Sequence, residues 1–398
     1  MEKPNAVIEI TNSVLRLVVG YVVNDKPAII FEHEYDNNGV VKDGEVVDFE
    51  GLVNLLNSIK VISDPEAHIR ITLKEVTLLF PAIGFNVFSS EKSTGVVSPT
   101  QIVQPLDIQN SINLVNQDRL PSGLTTIDII PVSFALSDNR VFNVPPVNEQ
   151  SSSLTVKAFI HTLPNHIYEP FVKAFEKVDI AIKRSFVTVY AISELVRYTP
   201  EMPSSYILID MGDELTSITL IGSGYPYNST HFLLGGRALA EEVSNKFNMS
   251  LSEAKAYVQK YGIDSRDTSF KPNIALKANE GEVRPSFTTK DLSSVITSFL
   301  NGYKSRLASS IDTIVENLPD EVKNFPLVFT GGFSSLNGMK EYLKNNFSNE
   351  LFFVCPLVPG VRHPRYSALI GALLLSSHYR GSLVDQKAKV AEVSREEK

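Results

Sequence analysis

The chain has 398 residues, of which 43% are hydrophobic and 21% are charged, an ordinary balance for a soluble globular protein. A chain of this length predicts two or three structural units, and it can bury enough apolar surface to fold without a disulfide or a metal. The formal net charge of −8 argues against nucleic acid as the main partner, because no strong positive field offsets phosphate repulsion. The single cysteine, Cys355, lies in an apolar run and is expected to be a small buried residue, as suits a reducing cytosol.

The first 60 residues alternate β-branched runs with turn residues. They predict strands at 6–10, 14–23 and 28–35, with a turn at 11–13. A helix is predicted to follow with Asp48 as its N-cap, because apolar residues then recur at helical spacing. No signal peptide is predicted, since the N-terminus passes directly into a strand-like run.

The composition changes after a strand pair or long strand predicted at 68–80. From 82 to 178 the chain is rich in Ser, Asn, Gln, Pro and Val, and its clearest strands are at 126–130 and 154–161. A helix is predicted from about Pro164. This stretch predicts a small α/β domain inserted between elements of another domain.

A second strand–turn–strand unit begins near residue 205, with strands predicted at 206–209, 216–221, 228–234 and 327–330. A core-facing helix is predicted from residues that repeat at helical spacing, namely Leu307, Ile311, Ile314 and Leu318. The same order of strands and helix thus occurs near residue 6 and near residue 206. The repetition predicts a duplicated α/β fold with mixed sheets and a central cleft.

Several stretches, taken in chain order, resemble FtsA, a bacterial cell-division family of the actin, sugar-kinase and DnaK-type chaperone superfamily. Residues 8–20 lie where that family has its first phosphate loop, Asp-Ile-Gly-Thr-Ser. Residues 39–48 are similar to its Gly-x-x-x-Gly-x-x-x-Asp link. Residues 129–136 and 154–162 closely resemble the domain that FtsA inserts into its first lobe.

Later stretches continue the resemblance. Leu234-Gly235-Gly236 precedes a helix, residues 329–336 resemble the adenosine loop, and residues 364–371 resemble the return helix to the first lobe. The resemblance covers about residues 6–380. It implies an α/β, actin-like (ribonuclease H-like), duplicated two-lobed fold with an FtsA-type inserted α/β domain in the first lobe. PilM proteins of pilus assembly share a related insertion and remain an alternative.

The resemblance also implies a division of the chain into domains. The implied parts are a first-lobe core (1–81, 179–203 and 355–380), the inserted domain (82–178), a second-lobe core (204–240 and 325–354), a helical subdomain (241–324) and a polar tail (381–398).

The second phosphate loop of the family reads Asp-x-Gly-Gly-Gly-Thr-Thr-Asp. Asp210 and Gly212 match it, whereas Asp213 and Glu214 replace two of its glycines. Ser217 replaces the later aspartate, which helps to hold magnesium in relatives. A carboxylate 4 Å from a phosphate charge costs about 4 kcal/mol at an effective dielectric of 20, so we expect ATP binding to be lost or severely weakened. A magnesium ion between carboxylate and phosphate would reverse that sign.

The nucleotide pocket implied by the resemblance is therefore degenerate. Its candidate residues are Thr11, Asn12, Ser13, Asp210, Gly212, Gly236, Gly331, Gly332 and Ser334. In the first loop, Glu9 replaces the family's aspartate and Thr11 its glycine, and a Glu-x-x-Lys pair near the adenosine maps to Lys255 and Val258. Without the resemblance, residues 11–13 read as a hairpin turn, residues 331–332 as a strand-to-helix turn, and Asp210 as a turn brace.

The sequence predicts no catalytic residues and no metal site within the protein. The seven histidines show no zinc spacing, and no Ser/His/Asp or Cys/His set is suggested. The only cofactor implied is ATP with magnesium, in a pocket that has lost family residues.

The C-terminal tail departs from the amphipathic membrane helix that usually ends FtsA proteins. Residues 381–398 offer a thin apolar stripe without aromatic residues, and Glu392, Glu396 and Glu397 would oppose anionic lipid. A solvated, partly helical tail is predicted, with membrane contact indirect or weak.

The resemblance implies a cell-division scaffold in the cytoplasm, at the inner face of the cell membrane at the division site. Its implied partners are the C-terminal peptide of FtsZ through residues 241–324, other divisome proteins, and copies of itself through the inserted domain. An actin-like ATPase filament and a PilM-like pilus or secretion platform are the alternatives. A small-molecule kinase is disfavoured, since no matched motif places a catalytic base.

Overall fold

The computed structural model describes residues 4–64, 69–263, 273–274 and 287–377. The chain divides into two compact units, residues 1–191 with 371–398 and residues 192–370. Within the described residues, no helix is both long and apolar enough to span a bilayer.

The elements from residue 5 to residue 198 build the first unit, and the last of them continues into the second. They are β1 (Asn5–Ile10), β2 (Val14–Val23), β3 (Lys26–Asp36), β4 (Val41–Lys42), β5 (Glu45–Val46), α1 (Phe49–Ile59), β6 (Val61–Asp64), β7 (Ile69–Thr72), β8 (Glu75–Phe80), β9 (Asn86–Gly95), α2 (Pro105–Val115), β10 (Leu124–Leu136), β11 (Val141–Phe142), β12 (Ser153–Pro164), α3 (Asn165–Lys177), β13 (Ala181–Val187) and α4 (Thr188–Tyr198).

The main sheet of the first unit has the strand order β3-β2-β1-β8-β13. The first three strands form an antiparallel meander, and β8 and β13 continue the sheet in parallel with β1. Helix α1 begins as predicted, because the Asp48 carboxylate accepts the Gly51 N–H at 2.9 Å. Residues 69–80 contain two strands, β7 and β8, and β7 pairs with β6 rather than with β8; residue 68 lies outside the described residues.

The segment that the sequence predicts as inserted contains a second sheet, with the order β11-β10-β12-β9. Helix α2 packs on it and closes a separate core of buried apolar side chains around Val103, Phe134 and Leu154. Helix α3, predicted from about Pro164, packs beside the main sheet instead, where the Phe171 ring meets the Phe80 ring edge-on at 5.5 Å.

The second unit contains the remaining elements, again in chain order. They are β14 (Tyr206–Met211), β15 (Thr216–Gly222), β16 (Tyr225–Phe232), α5 (Gly236–Phe247), α6 (Leu251–Tyr261), β17 (Asn273–Ile274), β18 (Phe287–Thr288), α7 (Thr289–Val315), α8 (Asp320–Lys323), β19 (Leu327–Thr330), α9 (Met339–Lys344), β20 (Leu351–Phe353) and α10 (Ser367–Ser377), the last of which ends in the first unit.

The main sheet of the second unit repeats the design of the first. Its order is β16-β15-β14-β19-β20, with β14, β15 and β16 antiparallel and β19 and β20 parallel to β14. The predicted duplication is therefore confirmed at the level of strand order and direction.

Two predicted boundaries in the second unit are wrong. The strand predicted at 228–234 runs from Tyr225 to Phe232, because Gly235 already serves as the N-cap of α5. Leu318 lies beyond the end of α7 at Val315, although its side chain still packs against the core as predicted. The predicted polar tail, 381–398, lies outside the described residues.

His161 on β12 is a fully buried histidine in the first unit. Its ring lies edge-on to Phe85 at 5.0 Å and to Tyr190 at 5.1 Å, and neither ring nitrogen has a hydrogen-bond partner. Burial lowers the pKa of His161 to about 3, so the folded protein keeps this ring neutral. The pKa of its cross-strand neighbour Asp128 shifts in the opposite direction. Burial raises the pKa of Asp128 to about 7, although the hydrogen bond from the Ile129 N–H and the charge of Arg184 act to lower it.

The depressed pKa of His161 predicts an acid-dependent loss of stability. The ring binds a proton in the unfolded chain below a pKa of about 6.5 but not in the folded protein, so the contribution of His161 to stability falls between pH 6.5 and pH 3. The slope should reach about 1.4 kcal/mol per pH unit. We expect H161L to remove this part of the slope in urea unfolding measured from pH 7 to pH 4.

A suitable control is H166L, because the His166 side chain is 64% exposed. This variant should keep the wild-type slope. Equal slopes in wild type and H161L would contradict the prediction. Asp128 acts in the opposite direction, since its contribution is present below pH 3.8 and is lost as the pH rises to about 7.

Candidate functional site

The loop between β14 and β15 is the part of the second unit where the sequence predicts a phosphate loop. The Gly212 N–H donates to the Leu215 carbonyl at 2.9 Å, which closes the loop on itself. The Gly236 N–H donates to the Gly212 carbonyl at 3.2 Å, and the Arg237 N–H donates to the Asp213 carbonyl at 2.7 Å. A phosphate loop presents such N–H groups to its ligand, whereas these three are bonded within the chain.

The predicted glycines are explained by close packing around this loop. A Cβ on Gly331 would lie 2.4 Å from Asp210 Oδ1 and 2.4 Å from the Met211 carbonyl oxygen, and its φ of +85° also favours glycine. A Cβ on Gly235 would lie 2.3 Å from the Gly212 carbonyl oxygen. The structure therefore brings Asp210, Gly212 and Gly331 together, and it gives Gly331 a packing role that needs no ligand.

The turn after β19 contains the other predicted residues of the second unit. Gly332 opens a short 3₁₀ helix, Gly332–Ser335, and the buried Ser334 hydroxyl donates to the Gly331 carbonyl at 2.8 Å. The Phe333 ring of this turn lies close to the start of α5, since a Cβ on Gly236 would lie 3.4 Å from that ring. The hydroxyl predicted to line the adenosine loop is thus bonded to its own turn.

Two acidic side chains of the loop, predicted to repel phosphate, are paired with cations. Lys255 Nζ on α6 lies 2.9 Å from Asp213 Oδ2, and Arg237 Nη1 on α5 lies 2.7 Å from Glu214 Oε1. Arg237 Nε also contacts Glu241 Oε1 at 3.0 Å, and hydrogen bonds to Glu241 and Glu214 raise the pKa of Arg237. The repulsion expected from two unpaired carboxylates is therefore offset by positive charge.

Sequence reasoning missed Arg237 and Glu241. The signal was present, since Arg237 directly follows Gly235-Gly236 and Glu241 is four residues further along the same helix. Lys255 was placed near the nucleotide, and it lies beside Asp213. Val258, its predicted companion, is buried in the core of the unit.

Ser335, His363 and Arg365 form a further polar cluster that the sequence did not indicate. The Ser335 hydroxyl lies 3.1 Å from His363 Nε2, while His363 Nδ1 accepts the Arg365 backbone N–H and Nε–H, both at 3.2 Å. These bonds make Nδ1 the acceptor, so Nε2–H donates to Ser335. These hydrogen bonds connect the 3₁₀ turn after β19 to the segment that precedes α10.

The predicted loop of the first unit, Thr11–Ser13, is a tight hairpin bonded to itself. The Thr11 hydroxyl accepts the N–H groups of Ser13 at 3.4 Å and Val14 at 3.2 Å, and the Thr11 N–H donates to the Val14 carbonyl at 2.9 Å. The side-chain amide of Asn37, the residue directly after β3, donates to the Thr11 carbonyl. Asn12 Nδ2 lies 3.5 Å from Asp43 Oδ1.

Glu9, which replaces the family aspartate of this first loop, pairs with Arg16 on the neighbouring strand. Arg16 contacts Glu9 Oε2 and Glu34 Oε1, each at 2.8 Å, and its side chain is only 16% exposed. Burial lowers the pKa of Arg16, but the two carboxylates outweigh burial and raise it overall. Glu9 is therefore occupied by a permanent cation rather than presented to a ligand.

The described ranges contain no group of three or more His, Cys, Asp or Glu side chains that could hold a metal ion. Cys355 is half-buried, and burial raises the pKa of its thiol. Among the described residues, neither a metal-binding group nor Cys355 therefore adds a reactive centre to the two loops.

A family model and individual relatives both show that this chain is similar to FtsA. A family model described as "Cell division protein FtsA" matches residues 207–371. The cell division protein FtsA of Staphylococcus epidermidis is 20% identical over 368 residues, which cover 92% of this chain and 77% of that protein.

Solved structures show the same fold at lower identity. A PilM–PilN type IV pilus biogenesis complex aligns with a TM-score of 0.60 and 16% identity, covering 95% of this chain and 99% of that one. MreB5 of Spiroplasma citri bound to ADP aligns with a TM-score of 0.54 and 11% identity, covering 95% and 97%. The predicted actin-like fold is confirmed, and so is the resemblance to FtsA.

The Arg16 cluster predicts a large stability cost when its cation is removed. R16L leaves Glu9 and Glu34 without their cation in a poorly solvated site, so we expect the free energy of unfolding to fall by about 3 kcal/mol in urea titrations. E9Q/R16L/E34Q should recover most of that loss, because no charge remains buried.

The matched control is R140L, since Arg140 also bridges two carboxylates, Asp138 and Glu149, but is 44% exposed. R140L should cost much less than R16L, because solvent screens an exposed ion pair. Equal losses for R16L and R140L would contradict the assigned role.

Proposed function

We propose, from the premise that this chain is a divergent actin-like homologue of FtsA, that it is a cell-division scaffold that works without nucleotide hydrolysis. The observation that carries the proposal is the relationship to FtsA along 92% of the chain. Its proposed place is the cytoplasm, at the inner face of the cell membrane at the division site.

The proposed loss of nucleotide chemistry is supported by both loops. In the second unit, the N–H groups of Gly212, Gly236 and Arg237 donate hydrogen bonds to backbone carbonyls of the protein. In the first unit, Glu9 is held by Arg16 and the turn is closed by Thr11. These bonds engage N–H groups of the kind that a phosphate loop presents to its ligand, which supports the proposal that contacts with proteins are the remaining role.

The proposed partner is the C-terminal peptide of FtsZ, bound by the helical subdomain at 241–324. On helix α6, Tyr257 and Tyr261 pack against the core and remain partly exposed, with their rings stacked at 6.3 Å. The exposed Lys260 places its Nζ 5.1 Å from the Tyr261 ring centre. Aromatic side chains beside a cation are typical of the side chains that dominate peptide binding. Self-association through the inserted domain and contact with other divisome proteins complete the proposed scaffold.

Titration of the FtsZ C-terminal peptide against the purified chain tests the proposed partner. We expect binding in the micromolar range and none with a scrambled peptide of equal composition. K260E should weaken binding about 10-fold, equivalent to about 1.4 kcal/mol. K344E is the matched control, since Lys344 is exposed on α9, outside residues 241–324. No binding at high micromolar peptide would reject FtsZ as the partner.

Calorimetry with ATP and magnesium tests the proposed nucleotide independence. We expect no saturable binding below millimolar ATP, because both loops are internally bonded. Tight binding would reject this part of the proposal and favour the alternative of an ATPase filament.

A PilM-like assembly platform is the second candidate, and the fold likeness to the PilM–PilN complex favours it. Gene neighbourhood separates the two candidates. Pilus genes beside this one would favour the platform, and an FtsZ gene would favour the division scaffold.

A further inference from the structure

We infer that the loop at residues 212–215 of the second unit is part of an anion site that the chain fills with its own carboxylates, where a polyphosphate would otherwise bind. The inference deepens the nucleotide independence proposed above and rests on it. It assigns Lys255 and Arg237 as the cations of the site, and Asp213 and Glu214 as its internal ligands.

The two cations come from different helices and converge on adjacent residues. Lys255 reaches Asp213 from α6 at 2.9 Å, and Arg237 reaches Glu214 from α5 at 2.7 Å. Two consecutive loop residues are therefore each paired with a cation from a different helix. An ammonium group and a guanidinium group that both reach one short loop are a combination suited to the several oxygens of a polyphosphate chain.

The carboxylates of Asp213 and Glu214 exclude a free anion because they compete with it for the two cations, which remain open to solvent. The side chains of Asp213 and Lys255 are each 37% exposed, and Arg237 is 41% exposed, so small anions in solution can reach the site. A carboxylate fixed on the loop meets its cation at a high effective concentration, which a free anion cannot match at millimolar levels. Neutralised in this way, the cations offer little attraction to phosphate.

The loop geometry keeps the carboxylates in place. The Gly212 N–H bond to Leu215 and the Arg237 N–H bond to the Asp213 carbonyl fix the backbone on both sides of the two acidic residues. The closest atoms to a Cβ on Gly235 would be the Gly212 and Asp213 carbonyl oxygens, at 2.3 and 2.6 Å. The loop backbone thus packs closely against the start of α5, which fixes the positions from which the two acidic side chains reach their cations.

Removing the two internal charges should therefore create anion affinity. D213N/E214Q preserves the shape of both side chains while freeing Lys255 and one face of Arg237, which keeps its contact with Glu241. Calorimetry at low ionic strength, with pyrophosphate as the probe, should show binding at least 10-fold tighter than to wild type. Adding K255M to that variant should abolish the gain.

The matched control is D320N/E321Q on α8. It makes the same pair of substitutions and the same change in net charge, at a site where Asp320 pairs with Lys323. It should not gain pyrophosphate binding. An equal gain in this control would overturn the inference, because the effect would then come from net charge alone.

The remaining outcomes also decide the matter. No gain in D213N/E214Q overturns the inference, and so does a gain for ATP without one for pyrophosphate. Should the double variant fail to fold by circular dichroism, D213N alone provides the test, with a smaller gain expected and its absence contradictory. These failures would leave the FtsZ-peptide titration untouched, whereas tight ATP binding by wild type would reject the nucleotide independence itself.

Discussion

Several backbone N–H groups of the loops that follow β1 and β14 are bonded to oxygen atoms within the chain, and the other features of the candidate site depend on this. Thr11 closes the first loop by accepting two backbone N–H groups, and Gly212 and Leu215 close the second. Buried or half-buried polar groups must find partners, and these N–H groups have theirs within the protein. A nucleotide-binding loop has the opposite design, with donors left free for phosphate.

The acidic side chains at both loops are likewise paired within the chain. Glu9 is neutralised by Arg16, Asp213 by Lys255, and Glu214 by Arg237. The carboxylates that replaced family residues are therefore balanced by cations on neighbouring elements. This balance explains how acidic residues are accommodated at both loops without destabilising them.

Much of the fold could be predicted from the sequence. The strand at Val14–Val23, the N-cap at Asp48 and the repeated strand order came from local patterns of β-branched residues, turn residues and spacing. Predictions failed where pairing and packing decided the outcome: β7 pairs with β6, and Leu318 packs on the core from beyond the end of α7. Periodicity alone cannot show where a helix stops when the following residue remains buried.

The sequence by itself determined the actin-like duplication, the resemblance to FtsA and the loss of family residues at both loops, because these lie in residue types and their order. Only the tertiary structure decided what the replacements do. Arg237 and Lys255 are 23 and 42 residues from their carboxylates, and the packing of α5 and α6 brings them there. Charge compensation depends on distances of a few ångströms, and such distances are set by helix packing rather than by sequence spacing.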